Sequence, residues 1–181
     1  RRLVPVDAFA PAGDHRESML RAMPCDLAQR LIAASEIHGD FVLSSGRRSN
    51  VYFDKFRFLT DPHLLRDTAK AVAELLPEAI THLAAPEGAA TLLVAAVGLE
   101  TGLPIAVVRK EPRAYGTMSQ LEGHAPAGAE VALVEDVSTT GTQVRSAATM
   151  LEDAGCKVGV IVPAIDRGGA EHLREAGYWV K

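Results

Sequence analysis

The sequence is poor in cysteine and in aromatic residues, and it has no long apolar run. Its 181 residues include two cysteines and 5% aromatic residues. Cys25 and Cys156 lie far apart and follow no metal-ligand spacing, so we expect two buried thiols in a reducing compartment. Neither an apolar run of transmembrane length nor a secretory signal is present, which predicts a cytoplasmic protein without a membrane partner.

Excess positive charge is also missing. The formal net charge is −4 and the pI is about 5.9, which excludes the basic footprint of a nucleic-acid-binding protein. The chain length suits one domain, and a hydrophobic content of 48% is enough for a substantial core.

Two common nucleotide-binding motifs are absent, but another phosphate-binding pattern is present. Neither a Walker A loop nor a G-x-G-x-x-G fingerprint occurs. Instead, four apolar residues at 131–134 precede Glu135 and Asp136, and a loop rich in hydroxyl groups and glycine leads into a helical pattern at Thr142. A helix N-terminus after such a loop binds phosphate, and the carboxylates suit ribose hydroxyls or a hydrated Mg²⁺. The run therefore predicts a site for a phosphorylated ribose; the alternative is an ordinary strand-to-helix junction with an acidic cap.

Strand and helix patterns alternate along most of the chain, after an irregular arm at 1–24. The first helix is expected to begin at Asp26 and to end by Gly39, and a second begins at Asp61-Pro62 and runs to Leu76. The remaining predicted helices span 89–101, 142–154 and 170–176, and the predicted strands span 41–43, 51–53, 80–85, 104–109, 131–134, 158–164 and 178–180. This alternation predicts an α/β fold whose parallel sheet has helices on both faces.

Polar residues follow three of the predicted strands, at 86–88, 109–111 and 135–136. Because parallel strands present their carboxyl ends at one edge of a sheet, we expect all three segments to face one crevice. The connection at 110–128 is long enough to be a functional lid, and the alternative is a plain surface loop.

Four segments resemble a known family. The 131–142 run resembles the phosphoribosyl pyrophosphate (PRPP) motif of the type I phosphoribosyltransferases. Three further segments occur in the order found in the orotate phosphoribosyltransferases and resemble that family: 43–54, 108–117 with Glu122-Gly123 downstream, and 165–169. The resemblance covers roughly residues 26–181.

This resemblance implies a type I phosphoribosyltransferase fold over 25–181, with a central parallel twisted sheet, helices on both faces and a small N-terminal hood mainly from about 25–60. It implies Mg²⁺-dependent transfer of phosphoribosyl from PRPP to orotate, giving orotidine 5′-monophosphate and pyrophosphate, by a homodimer. It also implies that family chains continue for a short segment beyond the position of Lys181.

The resemblance also implies roles for individual residues, with no side chain assigned as a direct metal ligand. The implied catalytic residues are Arg109, Lys110, Arg113, Tyr115 and Asp136. The implied PRPP-binding residues are Glu135, Asp136, Ser138, Thr139, Thr140, Gly141, Thr142, Glu87 and Gly88. The implied base-binding residues are Tyr52, Phe53, Thr139 and Arg167, although Phe53 equally suits a plain core position.

Four positions depart from the family pattern. Arg113 and Tyr115 stand where the lid usually has Lys and often His, and Ser44 stands where many members have Lys near the pyrimidine. Glu87 is a carboxylate in the pyrophosphate loop, where it would repel the ligand unless it faces Mg²⁺ or an arginine. These departures keep two alternatives open: another heterocyclic acceptor base, or a PRPP-sensing regulatory protein without turnover.

Overall fold

The structure, a computed structural model, describes residues 25–42, 46, 48–111 and 120–181. The expected irregular arm at 1–24 lies outside these residues. The helices are α1 (Cys25–Ser35), α2 (Phe56–Leu59), α3 (Pro62–Glu74), α4 (Ala90–Thr101), α5 (Thr142–Asp153) and α6 (Gly169–Glu175). The strands are β1 (Glu36–Val42), β2 (Arg48–Phe53), β3 (His82–Pro86), β4 (Ile105–Val108), β5 (Leu121–Gly123), β6 (Glu130–Ser138) and β7 (Lys157–Asp166).

The main sheet has five strands in the order β5-β4-β3-β6-β7. The four strands β4, β3, β6 and β7 run parallel, and β5 pairs antiparallel with β4 at the edge. The predicted α/β architecture is therefore confirmed. The connection at 110–128 is not wholly irregular, because its residues 121–123 form that edge strand.

Side chains alternate between the two faces of the sheet along each strand, and both faces carry apolar residues. Helices therefore cover each face. From β6, Ala132 and Val134 pack into one core cluster with α3 and α4, whereas Val131 and Leu133 pack into a second with α5 and α6. The apolar run at 131–134 is buried on both sides, as a central parallel strand requires.

The N-terminal part forms a separate antiparallel hairpin of β1 and β2, which follows α1. The prediction that Gly39 ends the first helix is wrong, because α1 ends at Ser35 and Gly39 lies within β1. Residues Glu36 to His38 pair with β2 instead of continuing the helix, and Gly39 lies where the register of that pairing shifts.

Several other predicted boundaries agree with the structure, but β1 already begins at Glu36 and β6 extends as far as Ser138. Asp61 caps α3 by accepting hydrogen bonds from the backbone N–H groups of His63 and Leu64 at 2.9 and 3.0 Å, and Pro62 is the first helical residue. The predicted strand at 178–180 is reduced to one bridge between Val180 and Ile161. None of the helices in the described ranges has the length and apolar character needed to cross a bilayer.

Candidate active site

A cavity of about 420 Å³ lies at the carboxyl ends of β3, β4 and β6. All three expected strand ends reach this cavity, through Pro86, Arg109 with Lys110, and Glu135. The phosphate-loop residues 138–142 form another wall, and the first turns of α5 close it. The predicted crevice is therefore present, and it is large enough for a ligand of small-molecule size.

The loop between β6 and α5 brings backbone N–H groups and hydroxyl groups together at the start of a helix. Gly141 occupies the N-cap position of α5 with φ +70° and has no side chain to cap the helix, while the backbone nitrogen of Thr142 lies 3.4 Å from Thr140 Oγ1. The first turn of a helix carries N–H groups without intrahelical partners. The hydroxyl groups of Thr140 and Thr142 lie 3.0 Å apart beside them. Backbone and hydroxyl donors therefore lie side by side at this end of the cavity.

Glycine is required on both sides of this loop. A Cβ on Gly141 would lie 2.9 Å from the carbonyl oxygen of Gly169, at a φ that L residues rarely adopt. A Cβ on Gly169 would overlap Ser138 Oγ and lie 2.9 Å from the backbone nitrogen of Gly141. The loop and the start of α6 are thus packed backbone against backbone, which fixes the phosphate loop in place.

The two carboxylates do not face the same way. β6 continues to Ser138, beyond the predicted strand end, so Glu135 and Asp136 lie inside the strand and point to opposite faces. Glu135 lines the cavity, while Asp136 is fully buried on the side of the N-terminal hairpin segment. The expectation of one acidic pair at a strand end is corrected to one carboxylate in the cavity and one behind it.

The environment of Glu135 favours its protonated form. Burial is the main cause, and the neighbouring Asp136 carboxylate adds to it, so that the pKa of Glu135 rises to about 8. Its Oε1 accepts the backbone N–H of Asp136 at 3.0 Å. Near neutral pH without ligand, Glu135 is therefore largely a neutral hydrogen-bonding group in the cavity wall.

Asp136 has a cationic partner that the sequence analysis did not identify. Lys55 Nζ lies 3.1 Å from Asp136 Oδ1 and 2.9 Å from Oδ2, and Lys55 also lines the cavity. Lys55 directly follows the 43–54 segment that resembles the family, and this position is the sequence feature that could have identified it as a site residue.

Glu87 faces an arginine, the arrangement under which a carboxylate is tolerated at this position. Its Oε1 accepts the backbone N–H of Lys110 at 2.9 Å, and its Oε2 lies 3.9 Å from Arg109 Nη1. Gly88 follows with φ +115°. The acidic group therefore holds the end of β4, where the long connection begins.

Of the four residues expected near a base, Tyr52, Phe53 and Arg167 lie in or beside the N-terminal hairpin, whereas Thr139 lines the cavity. The Arg167 guanidinium stands over the Phe53 ring, 5.6 Å from its centroid, and burial lowers the pKa of Arg167. Phe53 also packs against the core, which confirms the core position considered for it and leaves its base-binding role a prediction. Tyr52 is 43% exposed and contacts the Phe41 ring.

The sequence-predicted site residues thus fall into four groups. Arg109, Lys110, Glu135 and the 138–142 loop share one cavity, and Asp136 lies directly behind its wall. Phe53 and Arg167 meet beside the hairpin, and Glu87 supports Arg109 and Lys110. Arg113, Tyr115 and Ser44 lie outside the described residues.

Comparisons with known proteins agree with this geometry. A scan against models of protein families finds no match. Among curated proteins, the orotate phosphoribosyltransferase of Thermococcus gammatolerans is 37% identical over 165 residues, which is 88% of this chain and 87% of that protein. The orotate phosphoribosyltransferase of Thermococcus kodakarensis is 42% identical over 146 residues, covering 78% of this chain and 79% of that protein.

A solved structure of Mycobacterium tuberculosis orotate phosphoribosyltransferase in complex with PRPP superposes with a TM-score of 0.72. It is 25% identical to this chain, and the match covers 86% of this chain and 91% of that one. The fold, the arrangement of the cavity and the curated relatives lead to one conclusion: this chain belongs to the orotate phosphoribosyltransferase family and has the type I phosphoribosyltransferase fold.

Proposed function

We propose that this chain transfers the phosphoribosyl group of PRPP to orotate, giving orotidine 5′-monophosphate and pyrophosphate in pyrimidine synthesis. The observation that carries the proposal is the shared cavity, which is lined by the N-terminus of α5, the Glu135 side chain and the cations Arg109 and Lys110. In this cavity, anion-binding groups lie on either side of the Glu135 carboxyl group. A sugar that carries phosphate groups at both ends matches this arrangement.

The 5′-phosphate is assigned to the loop Ser138, Thr139, Thr140, Gly141 and Thr142, where backbone N–H and hydroxyl groups converge. The ribose hydroxyls are assigned to Glu135, with Asp136 behind it. The pyrophosphate is assigned to Arg109 and Lys110, which the Glu87–Gly88 segment supports. The base is assigned to the side of Tyr52, Phe53, Thr139 and Arg167, where the hairpin meets β7.

The chemistry follows from these positions. The bond from ribose C1 to pyrophosphate breaks as the bond to the base nitrogen forms, so positive charge grows on the sugar and negative charge on the leaving group. Arg109 and Lys110 stabilise that negative charge, and Arg113 and Tyr115 are proposed to join them from the lid. Positioning and exclusion of water supply the rest of the rate enhancement.

Mg²⁺ is part of the proposal as an ion that arrives with PRPP. Among the described residues, no three His, Cys, Asp or Glu side chains form a group that could hold a metal ion. The oxygen-rich cavity, with Glu135 and threonine hydroxyls, suits a hydrated ion held mainly by pyrophosphate oxygens. When bound, the ion supplies positive charge that stabilises the leaving group.

A homodimer in the cytoplasm completes the proposal. The outward face of α4 carries Leu92 and Leu99, which are 41% and 90% exposed, and a second copy would cover them. The hood assignment for residues 25–60 is part of the same proposal, since β1 and β2 form a hairpin outside the main sheet. Cys156 is a buried free thiol, in keeping with a reducing compartment.

A steady-state assay with PRPP and Mg²⁺ tests the acceptor base directly. Orotate is run beside uracil, nicotinate, adenine and hypoxanthine, and pyrophosphate release is followed for each. The proposal expects kcat/KM to be highest for orotate, and activity to be lost when Mg²⁺ is chelated. Turnover with another base but not with orotate would contradict it, and PRPP binding without any turnover would favour a sensor. Lys157→Met, at an exposed position outside the cavity lining, is the control variant and should match the wild type with every base.

A further inference from the structure

Lys55 connects two parts of the site that are far apart in the sequence. It stands at the N-cap position of α2, two residues after Phe53 at the end of β2. Its Nζ donates a hydrogen bond to Asp136 Oδ1 at 3.1 Å across a separation of 81 residues. The segment proposed to contact the base is therefore tied directly to the strand proposed to hold the ribose.

The ion pair compensates a charge that is otherwise costly. The Asp136 side chain is 1% exposed, and Glu135 lies next to it on the same strand. A buried carboxylate without a cation loses several kcal/mol of solvation. Within the described part of the chain, Lys55 is the cation that pairs with Asp136, while Arg109 and Lys110 stand at the end of β4.

The contacts also fix the orientation of the carboxylate. Asp136 Oδ1 accepts both the Lys55 ammonium and the backbone N–H of Val137, the latter at 2.6 Å. Oδ2 lies 2.9 Å from the same ammonium but accepts no well-directed hydrogen bond from the described residues. Oδ1 is thus held by two donors, whereas Oδ2 accepts a directed hydrogen bond from neither of them.

We infer that Lys55 is a positioning residue for the sugar of PRPP, acting through Asp136. It pairs with the buried Asp136 carboxylate and fixes its orientation behind the cavity wall, and it ties the hairpin segment to the strand whose Glu135 is proposed to hold the ribose. The inference rests on the proposed placement of the ribose at Glu135 and Asp136. The motif that resembles the family does not assign this role, because it ends at Asp54.

A double-mutant cycle on PRPP binding separates this role from others. The proteins are wild type, Lys55→Met, Asp136→Asn and the double variant, with calorimetric PRPP affinity measured in the presence of Mg²⁺. We expect Lys55→Met to weaken PRPP binding by about tenfold or more, the scale of one charge-assisted hydrogen bond. In the Asp136→Asn background, the same change should alter affinity by no more than about twofold, since its partner is gone.

Three further measurements make the result specific. In steady-state assays, the PRPP KM of Lys55→Met should rise while its orotate KM stays near the wild-type value. Lys55→Arg should recover most of the lost affinity, because it restores the charge. Arg57→Met removes a cation from the same short helix, exposed and outside the cavity lining, and should leave PRPP binding unchanged.

Several outcomes would overturn the inference. Unchanged PRPP affinity in Lys55→Met, or losses that add fully in the double variant, would show that Lys55 does not act through Asp136. A change confined to the orotate KM would make Lys55 a base-binding residue instead. If Lys55→Met does not fold, as judged by circular dichroism, Lys55→Gln enters the same cycle. Unchanged PRPP affinity in Asp136→Asn alone would instead contradict the sugar-site assignment, so the two failures are distinguishable.

Discussion

The Glu87 carboxylate accepts the backbone N–H of Lys110 at 2.9 Å, across the pair of strands β3 and β4. A negative side chain thereby occupies the loop proposed to face pyrophosphate, yet it is directed at the backbone and at Arg109 rather than at open space. Glu87 holds the first residues of the long connection. It also competes with any incoming pyrophosphate for the positive charge of Arg109.

Glu87→Gln and Glu87→Ala are expected to have different effects. Glutamine keeps an oxygen for the Lys110 N–H but removes the charge, so Arg109 becomes freer for pyrophosphate. We expect the PRPP KM to fall, by up to about fivefold, because a partly exposed ion pair at 3.9 Å is weak. Alanine removes the hydrogen bond as well, so its PRPP KM should rise. Identical KM changes in the two variants would contradict this role for Glu87.

Glu135 is expected to make the ligand-free protein less stable as pH rises. Its pKa lies near its ordinary value of 4.5 in the unfolded chain and at about 8 in the folded one. The stability that goes with the protonated form is therefore fully present below pH 4.5 and is lost as pH rises through about 8. Glu135→Gln, which cannot ionise, should be more stable than wild type at about pH 8.5, with the gap narrowing towards about pH 5.

Urea unfolding midpoints of both proteins, measured without PRPP at the two pH values, check this prediction. Glu171→Gln, at an exposed position of α6, is the matched control and should follow the wild type. A gap between Glu135→Gln and wild type that stays constant with pH would show that Glu135 is ionised in the folded protein.

Much of the site could be predicted from the sequence because its parts are local. The apolar run, the hydroxyl-rich loop and Gly141 are contiguous, and they specify strand, anion loop and helix without reference to the rest of the chain. The opposite orientation of Glu135 and Asp136 follows from the two-residue period of a strand, but only once β6 is known to extend past Val134.

Other features depend on contacts between distant segments. The Lys55–Asp136 pair and the stacking of Arg167 on Phe53 join residues that no local pattern relates. Strand β5 has only three residues and forms because it can pair with β4 at the edge of the sheet. Gly39 is a residue type typical of helix ends, but it lies at the irregularity of the β1–β2 pairing between His38 and Phe41, and local signals cannot anticipate that outcome.

Arg113, which lies outside the described residues, is proposed to act by its charge on the leaving pyrophosphate. Arg113→Lys should therefore keep most of the activity. Arg113→Ala should lose about 2–4 kcal/mol of transition-state stabilisation, the scale for one well-placed charge-stabilising donor. The loss should appear mainly in kcat, because a lid closes around the transition state more than around free substrate. Steady-state kinetics check this, and a normal kcat with a modestly raised KM would remove Arg113 from the lid.

If lid cations serve the neighbouring subunit, two inactive variants should rescue each other. Asp136→Asn carries the defect in the sugar site and Arg113→Ala carries it in the lid, so a mixed dimer contains one site without either defect. Activity should rise when the two proteins are unfolded and refolded together, compared with each refolded alone. Heterodimers confirmed by mass spectrometry but without recovered activity would place the lid in the same subunit as its site.

The location of the 5′-phosphate tests the central claim most directly. A crystal structure with ribose 5-phosphate or PRPP and Mg²⁺ bound should show that phosphate on the backbone N–H groups of the 138–142 loop, at the N-terminus of α5. The ribose hydroxyls should then lie against Glu135, on the cavity side of β6. A phosphate bound elsewhere in the protein, with this loop unoccupied at saturating ligand, would contradict the account.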